Sequence, residues 1–413
     1  MPNTKTEEQK RLKENYANSK SWLKWGPYLS ERQWATVRED YSPNGDVWNY
    51  ITHDMSRSKA YRWGEDGIAG ISDNKQRICF AIALWNGKDE ILKERLFGLT
   101  PAYGNHGEDV KELYYHLDNT PSHSYMKYLY KYPQRAFPYH DLAQTNRKRN
   151  RYEDEYEVTD TSIFNGSRYF DVFTEYAKND DEDICIRISV YNRSADSAPV
   201  TILPTLWMRN TWSYRLTNKK PVIRWVGKNE TSSELKITHA QLGDYSFYFQ
   251  NAMTVLFTEN ETNTERLNHT PNETPFVKDA FHDAVIKNDF KLFDNKKSGT
   301  KCSPVFYFNI EPAGSVVIKL RLSKNPIQDP LEKGFDEVFD NRLKDADNFY
   351  YDLIKSKNVD LKNIQRQAFA GLLWNKQFYH IDIPSWLNGD PNGPPSSLER
   401  KHGRNSDWQT LNN

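Results

Sequence analysis

Cysteine is scarce in this sequence and poorly placed for cross-linking. Cys79, Cys185 and Cys302 stand far apart, show no C-x-x-C spacing and cannot all pair within one chain. They read as reduced, mostly buried thiols, not as a disulfide framework. Long apolar runs are missing too, and nothing approaches the ~20 residues that a membrane-spanning helix needs. Residues 1–16 are polar and mixed in charge, without the apolar stretch of a secretory signal. These absences predict a soluble, cytoplasmic chain with no membrane partner. Excess charge is absent as well: 56 Lys and Arg balance 56 Asp and Glu, so no net field draws in nucleic acid, and no nucleic-acid partner is expected. Six Asn-x-Ser/Thr sequons start at Asn165, Asn192, Asn229, Asn260, Asn268 and Asn272, and these matter only in a secreted protein.

Common catalytic templates are also lacking. The sequence holds no G-x-S-x-G elbow, no Gly-rich phosphate loop, no H-E-x-x-H and no Cys/His group at zinc spacing. His53 with Asp54 and His282 with Asp283 are neighbours in sequence only, and such dipeptides are far more often structural pairs than ligands. Neither a metal nor a cofactor is expected.

Aromatic residues are what the chain has in quantity: 12 Trp, 25 Tyr and 20 Phe make up 14% of it. Such rings fill a large core, and they also stack on the apolar faces of sugars. Composition alone favours the core. Between residues 78 and 322 short runs alternate with a period of two and are separated by Gly, Asn, Asp and Pro, which is the chemistry of strands. Ile184, Ile186, Ile188 and Val190 point one way while Cys185, Arg187 and Ser189 point the other, as a half-buried antiparallel strand requires. Val316, Ile318, Leu320 and Leu322 repeat the pattern, as do Phe80, Ile82 and Leu84, and Tyr245, Phe247 and Phe249. Many such strands with no regular helix between them predict a mainly β fold, a large antiparallel sandwich.

After Gly334 the period changes. Phe335, Val338, Phe339, Leu343, Ala346, Tyr350, Leu353 and Ile354 recur at three- and four-residue steps, followed by Leu361, Ile364, Ala368 and Leu372. Two amphipathic helices are expected, and two cannot close a barrel. The domains are accordingly drawn as 1–334, a β-sandwich with an irregular N-terminal segment, and 335–413, a helical start. Those two stripes should stay exposed unless they dock on the sandwich.

Trp, Arg and carboxylates crowd together early in the chain. Trp34, Arg38, Glu39, Asp40 and Tyr41 fall in one stretch, and Arg62, Trp63, Gly64, Glu65 and Asp66 in another. Rings for stacking, with Arg and carboxylates for paired hydrogen bonds to vicinal hydroxyls, are what a sugar site uses. Trp34, Arg38, Asp40, Trp63, Glu65 and Asp66 are therefore candidate substrate-binding residues. A buried ion-pair network under a loop explains the same residues equally well. Acids adjacent in sequence, such as Glu65 with Asp66 or Glu108 with Asp109, do not make a hydrolytic pair, because glycoside hydrolysis needs two carboxyls facing each other across a bond.

Several long words resemble bacterial glucosidase-like members of glycoside hydrolase family 63: WGPYLSERQW at 25–34, TVREDYS at 36–42, YRWGEDGIAGI at 61–71, WNGK at 85–88 and GNHGEDVKE at 104–112. LWMRNTW at 206–212, FTENETN at 257–263, KDAFH at 278–282 and WNKQFY at 374–379 fit the same group. The resemblance implies a super-β-sandwich running into an (α/α)6 barrel, here incomplete. It further implies inverting hydrolysis of an α-glucoside or oligosaccharide by two carboxyls roughly 6.5–9.5 Å apart, without cofactor. In the family both acids belong to the barrel, past the segment that here reads RNSDWQTLNN at 404–413, so no catalytic residue is assigned. The chain is thus expected to be the N-terminal part of an α-glycosidase, inactive alone, whose partner is a separately encoded C-terminal portion. Two alternatives stand beside it: a free-standing carbohydrate-binding module, and an enzyme that uses Glu65 and Asp66 themselves.

Overall fold

The structure, a computed structural model, describes all residues except 1–4, 30, 32–50, 101–108, 215–218, 333, 377, 379–381, 390–395, 404–405 and 411–413. The alternating runs around residues 80–84, 184–190, 245–249 and 316–322 are strands, because a pleated ribbon buries every second side chain on one face. The expectation of no regular helix between them fails: Tyr139–Lys148 and Ala280–Ile286 are helical, and Ile68–Asp73 is a strand ahead of residue 78. In a six-stranded sheet, Trp25–Gly26, Ile68–Asp73, Ile78–Trp85, Ala198–Met208, Lys301–Ile310 and Thr254–Thr258 lie side by side in that order. A nine-stranded sheet runs Ser298–Gly299, Val222–Lys228, Ser232–His239, Gly243–Gln250, Ser315–Ser323, Asp183–Asn192, Tyr169–Asp180, Tyr125–Pro133, Tyr114–Asn119. Gly98–Leu99 and Asp109–Val110 form a small third sheet, and every pairing in the three is antiparallel.

The two large sheets pack face to face. Phe80, Ile82 and Leu84 of the smaller share one core with Tyr176, Ile186, Ile188, Phe247 and Phe249 of the larger. The Phe80 ring centroid lies 6.1 Å from Tyr176 and 5.9 Å from Phe247. The protein is therefore mainly β, and much of its aromatic content fills the space between sheets. All three cysteines are free and buried. No helix among the described residues is long and apolar enough to cross a membrane.

Helices pack around the sheets, among them α1 (Glu7–Tyr16), α2 (Ala280–Ile286), α3 (Phe335–Leu353) and α4 (Val359–Trp374). A capping box between Thr6 and Gln9 starts α1. The fully buried Glu8 then ties it to the sandwich, accepting hydrogen bonds from Ser122 N at 2.6 Å, Ser122 Oγ at 2.8 Å and Ser124 Oγ at 2.9 Å. Gly334 precedes α3 at φ +93°, a left-handed conformation that glycine adopts at little cost, and it turns the chain back onto the larger sheet. There α3 covers the outer face. This alters one expectation from the sequence: Cys185, on the supposedly solvated side of its strand, has no exposure, because Phe335, Phe339 and Ala346 of α3 lie over it.

Candidate functional site

Three of the six candidates, Trp34, Arg38 and Asp40, lie outside the described residues. Trp63, Glu65 and Asp66 are described, and all three are buried just ahead of the Ile68–Asp73 strand. Gly67 lets that strand come close: a Cβ there would stand 2.5 Å from Ala81 Cβ. The Arg62 guanidinium sits 4.9 Å from the Trp63 ring and 5.5 Å from that of Tyr214, within cation–π range.

Glu65 and Asp66 enter an ionic cluster whose other members come from distant segments of the sequence. Arg95 Nε donates to Asp66 Oδ1 at 3.3 Å, and its Nη1 stands 3.8 Å from Glu94 Oε2. Lys301 Nζ donates to Glu94 Oε1 at 2.9 Å and to Lys278 O at 3.0 Å. Lys278 Nζ is 3.7 Å from Glu65 Oε2 and donates to Lys59 O at 2.7 Å. Asn260 Nδ2 donates to Glu65 Oε1 at 3.2 Å and to Met208 O at 2.8 Å. Three acids and three bases thus neutralise one another out of water, the condition under which buried charge is tolerated.

Electrostatics follow from that packing. Burial pushes the Glu65 carboxyl up, against the pull of Lys278. It also pushes the Lys278 ammonium down, against Glu65. Glu94 goes the other way: burial opposes its charge, yet Lys301 and Arg95 outweigh burial and hold it at about 2. At neutral pH Glu94 is a fixed anion.

Glu65, Asp66, Glu94, Arg95, Lys278 and Lys301 surround a cavity of about 20 Å³, the room of a single water molecule. Small-molecule pockets run to roughly 300–1,000 Å³. A second, wider cleft of about 510 Å³ opens beside α2, with Arg57, Arg266 and Asp283 at its rim over Val277, Ala284 and Phe293.

Of the two His–Asp dipeptides, His282 and Asp283 are more than neighbours in sequence: His282 Nδ1 lies 3.2 Å from Asp283 Oδ1. His53 stacks on Tyr139 with ring centroids 5.4 Å apart, and the His282 ring approaches Arg57 Nη1 at 2.8 Å. Asp109, Glu155 and Glu157 form an acid cluster, and the Lys111 ammonium lies among them, 3.0 Å from Glu155 and 2.9 Å from Glu157.

Comparison with known proteins adds length to this picture. No family model matches the chain. It is similar to an uncharacterized protein of Saccharomyces cerevisiae, 42% identical over 450 residues, a match that covers 98% of this chain and 41% of the relative. The chain therefore spans about two fifths of that relative's length. Among solved structures it overlaps a protein described as a kojibiose phosphorylase from the human microbiome, at a TM-score of 0.22 and 11% identity over 78% of this chain and 37% of the other. It also overlaps one described as an aldose 1-epimerase from Escherichia coli, at a TM-score of 0.23 and 7% identity over 56% of this chain and 84% of the other. Overlaps that slight carry neither fold nor function across.

Proposed function

We propose that this chain is the sandwich part of a longer glycoside-hydrolase-like protein acting on α-glucosides or oligosaccharides. In this reading residues 1–334 are the sandwich domain, α3 and α4 open an (α/α)6 barrel, and the hydrolytic carboxylates stand on other helices of that barrel. Trp34, Arg38, Asp40 and Trp63 serve the sugar from the sandwich side, while Glu65 and Asp66 fix the base of that wall. The observation that weighs most is the condition of Glu65 and Asp66: both are committed to ion pairs around room for one water, so the two-carboxyl chemistry of glycoside hydrolysis falls to acids elsewhere. The resemblance of the sequence words and the greater length of the yeast relative support the same reading.

A cytoplasmic location fits two of the sequons. Asn192 is buried and donates through Nδ2 to Asp196 O, Ile310 O and Glu311 O, and Asn260 Nδ2 is buried in the ionic cluster. A glycan on either nitrogen would displace those bonds.

The purified chain, incubated with p-nitrophenyl α-glucoside and with maltotriose, should show no turnover, while the full-length yeast relative should hydrolyse one or both. Turnover by the chain that Glu65→Gln abolishes would overturn the reading. A carbohydrate-binding module without chemistry is the second reading, favoured by the cleft beside α2 with its Arg and carboxylate rim. Saturable tryptophan-fluorescence changes with maltotriose, and no hydrolysis by either protein, would select it.

A further inference from the structure

We propose that the outward face of α4 is an interface and that its occupant is a helix of the longer polypeptide; this rests on the reading of the chain as part of a longer protein. Leu361, Ile364, Ala368 and Leu372 are spaced by three, four and four residues, one stripe of a helix with 3.6 residues per turn. Ala370 and Trp374, on another side, are the fully buried residues of α4. The stripe itself points into water: Leu361 is 54% exposed, Ile364 63% and Leu372 75%, and Val359 at the start of the helix is 69% exposed. A helix that is anchored on one side and apolar on another has a second partner, since contiguous exposed apolar surface marks a contact.

The character of the stripe selects the occupant. Rows of side chains at three- and four-residue steps present the ridges into which another helix packs. A lipid surface fits poorly, because membrane-surface helices carry Lys and Arg along the polar face. The exposed polar positions of α4 are instead Asp360, Lys362, Asn363, Gln365 and Gln367. Arg366 is committed to Asp118 and Asp347, at 2.6 Å each. A source for the partner helix is at hand: more than half of the yeast relative lies outside the stretch this chain matches.

Thiol labelling tests the assignment directly. The chain's own Cys79, Cys185 and Cys302 are buried, so Ile364→Cys gives a clean exposed thiol, read by maleimide modification of its tryptic peptide. Labelling should be fast in this chain and at least tenfold slower at the aligned position in the intact full-length relative. Equally fast labelling in both would overturn the proposal. Protection within this chain that grows with its concentration would give the face to a second copy and overturn it as well. Because labelling needs no sugar, a protected thiol in a full-length protein without glucosidase activity removes the hydrolase reading and leaves the interface standing.

Discussion

α3 and α4 carry the same kind of apolar stripe, and the sandwich uses only one of them. Phe335, Val338, Phe339, Ala346 and Tyr350 of α3 are buried on the larger sheet, beside Tyr125, Cys185 and Tyr248. α4 meets the protein through off-stripe residues instead. Its Trp374 stacks on His116 with ring centroids 5.5 Å apart, touches Tyr128 at 5.4 Å, and donates from Nε1 to Asp118 O at 3.1 Å. Amphipathic periodicity therefore announces that a helix has a partner without saying where the partner is. The turn at Gly334 aims α3 at the sheet, whereas α4 is held by Ala370, Trp374 and Arg366 and turns its stripe away.

The sharpest way to break this contrast is to remove apolar bulk from each stripe. Phe339 is 1% exposed, its ring lies 5.4 Å from that of Phe335, and the Arg187 guanidinium covers it at 4.2 Å. Phe339→Ala should cost about 3–5 kcal/mol in urea unfolding, the range for emptying a buried aromatic site. Ile364→Ala, on the exposed stripe, should stay within about 0.5 kcal/mol. Equal losses would mean that both stripes are buried in solution.

A smaller effect is expected from Trp374→Ala. It removes an anchor of α4 on the larger sheet, and much of the response is local opening of that helix. Hydrogen exchange of the α4 amides should rise to the rate of unstructured chain while the strand amides keep their protection. Global stability should fall by no more than about 3–5 kcal/mol, the range for an emptied buried aromatic site, and persistent protection of α4 would show that its docking rests on other contacts.

What the sequence could reveal depends on the range of the interactions. Alternation at 184–190 and 316–322 is local, and it places those strands and their inward residues correctly. The onset of α3 at Phe335 is likewise legible as a change of period. Whether Leu361 and Ile364 face the sheet is not local; it depends on Trp374 finding His116 and Tyr128 across the fold. The ionic cluster is the extreme case. Glu65 and Asp66 stand out beside Trp63, but Glu94, Arg95, Lys278, Lys301 and Asn260 reach them from distant segments with no periodic signal. Asn260 registers as a sequon and within the FTENETN word, and its partnership with Glu65 exists only once the strands are assembled.

Acid titration gives the subtlest test of α4, because its contacts with the sandwich include a buried carboxyl, that of Asp118. Asp118 Oδ2 accepts from Arg366 of α4 at 2.6 Å. Burial raises the Asp118 carboxyl above its ordinary range; Arg366 pulls it back and the nearby Asp347 adds to the rise. A carboxyl that binds its proton more tightly folded than unfolded contributes stability that is fully present below the unfolded value of about 3.9. That contribution is lost as pH rises through the folded value. Asp118→Asn removes the titration while keeping the shape. The midpoint of the wild type minus that of Asp118→Asn should therefore fall as pH climbs from about 4 toward about 7. A difference that stays constant over that range would mean that Arg366 fully offsets the burial of Asp118, and that the hold on α4 does not depend on this carboxyl's titration.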